Sequence, residues 1–224
     1  MVVSVACLFA FLALGFGVVD RPPGALDTRL LAACRGHALP LAVALTQAGR
    51  FPAYVTISAV SLLFGIVRRA WLARASVAVA ALALAWQTFD VAKDAFGRPR
   101  PAGQLVFHET SLAYPSGHAT LALTFYGAWA WYVWRSSLPR PLRIALVLAA
   151  KALIAGIGWS RLALGAHFPS DVLGGYLLGG VFLGLVMLAT RTQPGAAPGP
   201  PRLRLLRSSD GPRRRTTLES AAAR

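Results

Sequence analysis

The chain is poor in acidic residues and in charge altogether. Of its 224 residues only 8 are Asp or Glu, and charged side chains make up 14%, against about 25% in an ordinary soluble domain. A soluble globular domain is excluded on that ground. Cysteine is scarce as well: Cys7 and Cys34 are the only two, which excludes a disulfide scaffold and a cysteine-rich zinc site. What the chain does have is apolar sequence, 56% of all residues with a mean hydropathy of +0.56. That is too apolar for disorder. Lys and Arg number 23, giving a formal charge of +15. A basic excess on so apolar a chain suggests an integral membrane protein with its cations at the membrane faces. No nucleic-acid partner is expected, because a nucleic-acid binder would not need so much lipid-soluble sequence.

A spanning helix needs about 20 apolar residues, with about 17 as the lower bound. Six stretches are candidates: 2–19, 51–67, 75–92, 118–134, 144–159, which falls just short of that bound, and 172–190. The first has no Lys or Arg ahead of it and reads as a retained helix rather than a signal peptide. The expected fold is all-α, a six-span transmembrane helix bundle. Residues 28–48, mixed apolar and basic, predict an interfacial helical segment between spans one and two. Residues 1–190 read as one membrane domain, and 191–224, rich in Pro and Arg, as a disordered basic tail. In the sixth span, Gly175/Gly179 and Gly180/Gly184 have the four-residue spacing of a close helix-packing face.

Six spans put both termini on one side. Fourteen basic residues then fall on that side and eight on the other, with Lys151 inside the fifth span. The excess of cations predicts cytoplasmic termini in a bacterial-type inner membrane. Trp129, Trp131, Tyr132 and Trp134 fit an aromatic belt at the inner interface. Lys151 is expected to face the protein interior or a cavity.

Polar residues gather in three places, all on the predicted outer, periplasmic face. Lys93, Arg98 and Arg100 lie where span three ends. Pro115-Ser116-Gly117-His118 opens span four. Residues 160–171, with Arg161, His167 and Asp171, join spans five and six. The set suggests an anion site. Lys93, Arg100 and Arg161 offer fixed positive charge, and an Arg fork matches phosphate geometry. Ser116 and Gly117 begin a helix, whose free N–H groups and positive dipole end suit phosphate. Two histidines remain, His118 and His167, enough for a nucleophile and a proton donor. Asp171 could hold the His167 ring in the nucleophilic tautomer. Pro169 disfavours helix at Phe168, so His167 is expected on the turn and Asp171 in the first helical turn. His108, Glu109 and Asp94 read as solvated loop residues.

These segments resemble the three-motif signature of the type 2 phosphatidic acid phosphatase (PAP2) superfamily of membrane phosphatases. Lys93, six residues, then Arg100-Pro101 is similar to its first motif. Pro115-Ser116-Gly117-His118 is similar to the second. Ser160-Arg161, five residues, His167, three residues, Asp171 is similar to the third. Arg98-Pro99 repeats the Arg100-Pro101 dipeptide, and the six-residue spacing favours Arg100. The resemblance implies that His167 attacks phosphorus to form a phosphohistidine, Asp171 orients it, and His118 protonates the leaving group. It implies that Lys93, Arg100, Ser116, Gly117 and Arg161 hold the phosphoryl oxygens. No metal and no other cofactor is expected. The implied substrate is a lipid phosphate or diphosphate, of the undecaprenyl diphosphate, phosphatidic acid or phosphatidylglycerol phosphate class, drawn from among the membrane lipids. Two other readings stand beside it: a non-catalytic lipid-binding or transport protein, and a haloperoxidase-like vanadate binder. Oligomeric state is left open.

Overall fold

The computed structural model describes residues 2–19 and 21–191. Apart from Arg191, the expected tail lies outside the described residues. Regular structure among these is entirely helical. In chain order the helices are α1 (Val2–Val18), α2 (Ala25–Cys34), α3 (Leu39–Ala48), α4 (Phe51–Val67), α5 (Leu72–Phe96), α6 (Gly117–Trp134), α7 (Arg140–Ala163) and α8 (Pro169–Ala189). A single 3-10 turn, Arg69–Trp71, leads into α5. Each of the six apolar stretches is a helix. Among the described residues three segments are long and apolar enough to cross a membrane by themselves: Arg69–Phe96, Arg140–Ala163 and Pro169–Ala189. α3 and α4 reach that length only as a pair, bent by 44° at the break between them. α1 is a shorter apolar helix.

The bundle is organised around α8. Its glycines are spent on close approach rather than on backbone freedom. A Cβ on Gly175 would stand 2.5 Å from the Ser116 carbonyl oxygen, and one on Gly179 2.7 Å from that of Thr120. Thr120 lies in α6 and Ser116 is the residue that caps its start. Five residues along a helix is a turn of roughly 140°, so Gly180 and Gly184 point elsewhere, at Cys7 and Ser4 of α1. The two small-residue pairs therefore serve two different neighbours. Around them Phe11, Tyr54, Phe89, Phe96, Tyr114 and Phe125 form one aromatic core. Tyr114 donates a hydrogen bond to the Phe11 carbonyl at 2.6 Å, tying α1 to the loop that precedes α6.

Residues 28–48 are helical, taken up by most of α2 and by α3. The break between them passes through Ala38 at φ 44°. α3 buries Ala42 and Thr46, and Ala42 packs with Ala163 and Leu164 at the end of α7.

Two expectations are corrected. Lys151 does not face the interior; it is exposed, half-way along α7. The buried residues of α7 all lie from Ile154 onward, so the first half of this helix stands clear of the bundle. There a lysine can lay its alkyl stem along the helix and carry its ammonium toward an interface. The aromatic belt is also only partial. Trp134 is exposed, but Tyr132 is buried and its hydroxyl donates to the Arg74 carbonyl at 3.1 Å. Trp131 Nε1 donates to Thr190 Oγ1 at 3.2 Å, and Trp129 stacks on Trp71. These rings fasten α6 to α5 and α8.

Candidate active site

Three local devices bring the polar segments together. α5 stops at Gly97, which takes φ 63° while its N–H returns to the Lys93 carbonyl at 2.9 Å. A left-handed residue of this kind is the usual glycine stop for a helix. It leaves Lys93 on the last turn and turns Arg98 and Arg100 into the bundle. α6 starts at Gly117, after an extended Ser116, so its first N–H groups lack intrahelical partners. Phe168, restrained by the proline that follows it, is extended at φ −78°, ψ 155°. α8 starts one residue later. The Asp171 carboxylate reaches back to accept the Phe168 N–H at 2.8 Å, the reciprocal half of a capping box. As expected, His167 is on the turn and Asp171 in the first turn of the helix.

These segments meet at a cavity of about 250 Å³. Lys93, Arg100, Gly117, His118 and His167 line it, together with Arg50 and Glu109. Ser116, Arg161 and Asp171 stand just outside that lining.

The geometry of His167 defines its tautomer. Nδ1 faces Asp171 Oδ2 at 3.5 Å, a long contact, and has no hydrogen-bond partner. Nε2 lies 2.9 Å from Arg100 Nη1. A guanidinium can only donate, so Nε2 carries the lone pair and Nδ1 the proton, directed at a carboxylate. Burial is the main influence on the ring. Together with the facing charges of Arg100, Arg161 and Lys93 it holds His167 well below the usual histidine range, which keeps the imidazole neutral at pH 7. Burial also pulls Arg100 down, to about 10, still a cation at neutral pH.

The cations are held by one short stretch of the α5–α6 loop. Lys93 Nζ donates to Ser111 Oγ and to the Leu112 carbonyl, both at 2.9 Å. Arg100 donates to the Ser111 carbonyl at 2.5 Å, to Ser111 Oγ at 3.0 Å and to the Ala166 carbonyl at 2.9 Å. Arg161, 1% exposed, bonds Thr46 Oγ1 at 2.7 Å and Glu109 Oε1 at 2.9 Å. Ser116 Oγ, His118 Nε2 and Arg161 Nε are buried without a partner. Buried polar atoms are almost always paired, so these three are suited to receive a polar guest.

Several residues differ from the sequence reading. Glu109 is not a solvated loop residue; it pairs with Arg161 and lines the cavity, whereas His108 and Asp94 are exposed. Arg98 and Arg100 are not alternatives in register. Arg100 touches His167, while Arg98 binds Asp171 and Asp27. Three residues escaped notice. Arg50 lines the cavity and lies 4.6 Å from the Phe107 ring centroid. Gly49 abuts His118: a Cβ there would be 2.8 Å from the imidazole Cδ2. Asp27 lies in α2, with no motif near it. Among the described residues there is no group of three or more His, Cys, Asp and Glu arranged to hold a metal ion.

Residues 69–194 match the model of the PAP2 superfamily. Phosphatidylglycerophosphatase B of Bacillus subtilis is 34% identical over 91 residues, 40% of this chain and 44% of that one. Lipid A 1-phosphatase of Rhizobium etli is 35% identical over 103 residues, 42% of this chain and 40% of that one. The matches thus span less than half the length of these curated relatives. A crystal structure of a transmembrane PAP2 type phosphatidylglycerolphosphate phosphatase from Bacillus subtilis superposes with a TM-score of 0.76 at 23% identity, over 85% of this chain and 97% of that one. The helical bundle is therefore the same fold.

Proposed function

The chain belongs to the PAP2 superfamily, and from that premise we propose that it hydrolyses a lipid phosphate or diphosphate through a phosphohistidine on His167. One observation carries the reading. A neutral imidazole with its lone pair on Nε2 and a second imidazole with an unpartnered Nε2 face the same cationic cavity.

In the proposed reaction the phosphoryl group enters among Lys93, Arg100 and Arg161, with Ser116 Oγ and the first N–H groups of α6 as further donors. Arg100 turns its N–H from His167 to a phosphoryl oxygen, which frees the Nε2 lone pair. Nε2 attacks phosphorus, and the bond from phosphorus to the leaving oxygen breaks. His118, an imidazolium once the phosphate's negative charge lies beside it, gives its proton to that oxygen and is left neutral. Nδ1–H remains directed at Asp171, whose charge stabilises the cationic phosphohistidine. A water then attacks phosphorus and loses its proton to His118. The phosphorus–nitrogen bond breaks, its electron pair returns to Nε2, and inorganic phosphate leaves. The cations and N–H groups hold their positions throughout, the preorganised electrostatics that usually supply the largest share of catalysis.

The substrate class is inferred from the surroundings. A second hollow of about 470 Å³ runs between α4 and α5, lined by Phe51, Val55, Leu62, Leu82 and Trp86 among others. Phe51 and Trp86 belong to both hollows. A headgroup can thus occupy the polar cavity while its chain lies in the apolar one, entering sideways from the bilayer. Six spans, cytoplasmic termini and a periplasmic site complete the proposal, with residues 1–190 as the catalytic domain. An outer-face site fits a diphosphate lipid carrier best among the three classes. The test is release of inorganic phosphate by detergent-purified protein from undecaprenyl diphosphate, phosphatidic acid and phosphatidylglycerol phosphate, beside a soluble sugar phosphate. At least one lipid should exceed the soluble ester in kcat/KM. A soluble ester that outperforms every lipid would overturn the assignment.

A further inference from the structure

Behind His167, away from the cavity, lies a closed polar assembly that the three motifs do not account for. Arg98 is 4% exposed and Asp171 fully buried. Arg98 Nη1 donates to Asp171 Oδ1 at 2.5 Å and to Ser170 Oγ at 2.7 Å. Its Nη2 donates to Asp27 Oδ2 at 2.8 Å. Ser170 in turn donates its hydroxyl to Asp27 Oδ2 at 2.5 Å and its backbone N–H to Asp27 Oδ1 at 2.9 Å. The Arg98 guanidinium also stacks over the Phe168 ring, 4.9 Å from its centroid. Asp27 comes from α2, a helix outside the six apolar stretches, and is itself buried.

Every atom of this assembly bears on the orientation of one ring. Asp171 has two oxygens. Oδ2 takes the Phe168 N–H and faces His167 Nδ1. Oδ1 is anchored by Arg98 alone. If Arg98 moves, the carboxylate keeps only its bond from the Phe168 N–H and can pivot about it, away from the imidazole. Arg98 is held in turn by Asp27 on Nη2, by Ser170 Oγ on the same Nη1 that binds Asp171, and by the Phe168 ring. A single guanidinium between two buried carboxylates is a poor way to gain stability, since desolvation of the three charges offsets most of their attraction. It is an effective way to fix a geometry, because a planar fork admits one arrangement of its partners.

We infer that Asp27 and Arg98 are positioning residues for the phosphoryl-transfer step, acting through Asp171 on the nucleophile His167, so that α2 is part of the catalytic apparatus. The inference rests on His167 being the nucleophile, the reading proposed above. Neither residue touches substrate. Their loss should therefore lower the rate of phosphohistidine formation and leave anion binding alone.

The test uses full-length protein in detergent with a radiolabelled lipid phosphate, following phosphoenzyme formation by rapid quench. Asp27→Asn keeps the size and one acceptor but loses the charge. Arg98→Lys keeps a charge but cannot bridge two carboxylates and Ser170. Each should lower the phosphorylation rate and kcat by about 10- to 100-fold, the range for partners that orient a functional side chain. KM and inhibition by inorganic phosphate should stay within about twofold. The expected coupling is specific: in an Asp171→Asn background, Asp27→Asn should cost less than about twofold, because its route to His167 is already cut. Thr28→Ala, an exposed neighbour on α2, is the control and should match wild type. Should Asp27→Asn fail to fold, Ser170→Ala removes one strut of the same assembly and carries the same expectation at the lower end of the range. A folded Asp27→Asn protein with wild-type phosphorylation rate would overturn the inference. So would a loss confined to KM, or an undiminished loss in the Asp171→Asn background. If instead the wild-type enzyme makes no phosphoenzyme at all, the nucleophile reading fails, and this inference fails with it.

Discussion

Replacing Gly49 by alanine isolates the proton-donating role of His118 without touching the histidine. Gly49 caps α3 at φ −95° and ψ 5°, a conformation open to any residue, so backbone strain does not enter. The added methyl does. It would sit 2.8 Å from His118 Cδ2 and 2.9 Å from Ile157 Cγ2. Ordinary carbon contacts lie at about 3.5 Å or beyond, so both contacts must open, by roughly 0.7 Å at His118 and roughly 0.6 Å at Ile157. Ile157 is fully buried and packed against α6, whereas His118 borders the cavity. The imidazole is the side that yields more readily. Overpacking in a closed core costs about 1–3 kcal/mol; with open space beside the ring, the cost to stability should fall at the low end. The cost to chemistry is larger. Cδ2 is bonded to Nε2, so the displaced atom carries the donor with it, and a misplacement of about 1 Å can cost about 100-fold.

The variant should therefore form phosphoenzyme about 10- to 100-fold more slowly from a lipid phosphate, whose alkoxide leaves only when protonated. A p-nitrophenyl ester needs no such help. In single-turnover measurements its burst of p-nitrophenolate should be slowed by less than about threefold. Steady-state turnover should stay slow for both, because His118 must still activate the water. Equal losses in the burst for the two leaving groups would refute the argument, and so would a folded variant with wild-type rates.

His167→Ala should abolish turnover and phosphoenzyme alike, since it removes the nucleophile that divides the displacement into two steps; trapped phosphoenzyme in that variant would exclude the mechanism. The depressed pKa of His167 has a consequence for stability. The unfolded chain takes up its proton below about pH 6.5 while the folded one does not, so stability is intact above that pH and falls as pH drops below it. Between pH 7.5 and 5.5, wild type should lose more thermal stability than His167→Asn, by at most about 1.4 kcal/mol per pH unit, and parallel melting profiles would contradict this. Activity should survive strong chelation, because the positive charge is supplied by Lys93, Arg100 and Arg161; loss in EDTA with recovery on adding magnesium would indicate another chemistry. In a background lacking Cys7 and Cys34, a cysteine placed at His108 should react with an impermeant reagent in intact cells and one at Arg204 should not, and the reverse pattern would move the site to the cytoplasm.

The sequence made some of this legible and hid the rest for physical reasons. Helices were readable because apolar length and glycine spacing act locally, along one element. The motif residues were readable because each sits at a helix terminus, where a Pro, Gly or Ser marks the chain direction. What was hidden came from elements that carry no motif. Glu109 looked like a loop residue because its partner, Arg161, is 52 positions away. Asp27 meets Ser170 across 143 positions, and nothing in α2 announces it. Gly49 is one glycine among 21, and only the position of His118 gives it meaning. Arg98 and Arg100 looked redundant because two identical dipeptides stand side by side. In the structure they do different work, Arg100 on His167 and Arg98 on Asp171. Lys151 was misjudged by a rule about charge in membranes that holds inside a bundle but not on a helix whose first half stands clear of it.

The arrangement of the cations bears on how the proposed site would take up a phosphoryl group. Three such positive groups, Lys93 and Arg161 buried and Arg100 half-buried, would repel one another and lose hydration without partners. Here Lys93, Arg100 and Arg161 all hold on to residues 109–112, through Ser111 and Leu112 for the first two and Glu109 for the third. These four residues supply a carboxylate, a hydroxyl and two carbonyls, the kinds of oxygen acceptor that a phosphoryl group also offers. Binding is then an exchange of acceptors. The cations keep their positions and swap loop oxygens for phosphoryl oxygens, while Arg100 gives up His167 in the same movement. In the proposed mechanism the anion itself breaks the contact of Arg100 with His167, so Nε2 is freed only when phosphorus is in front of it.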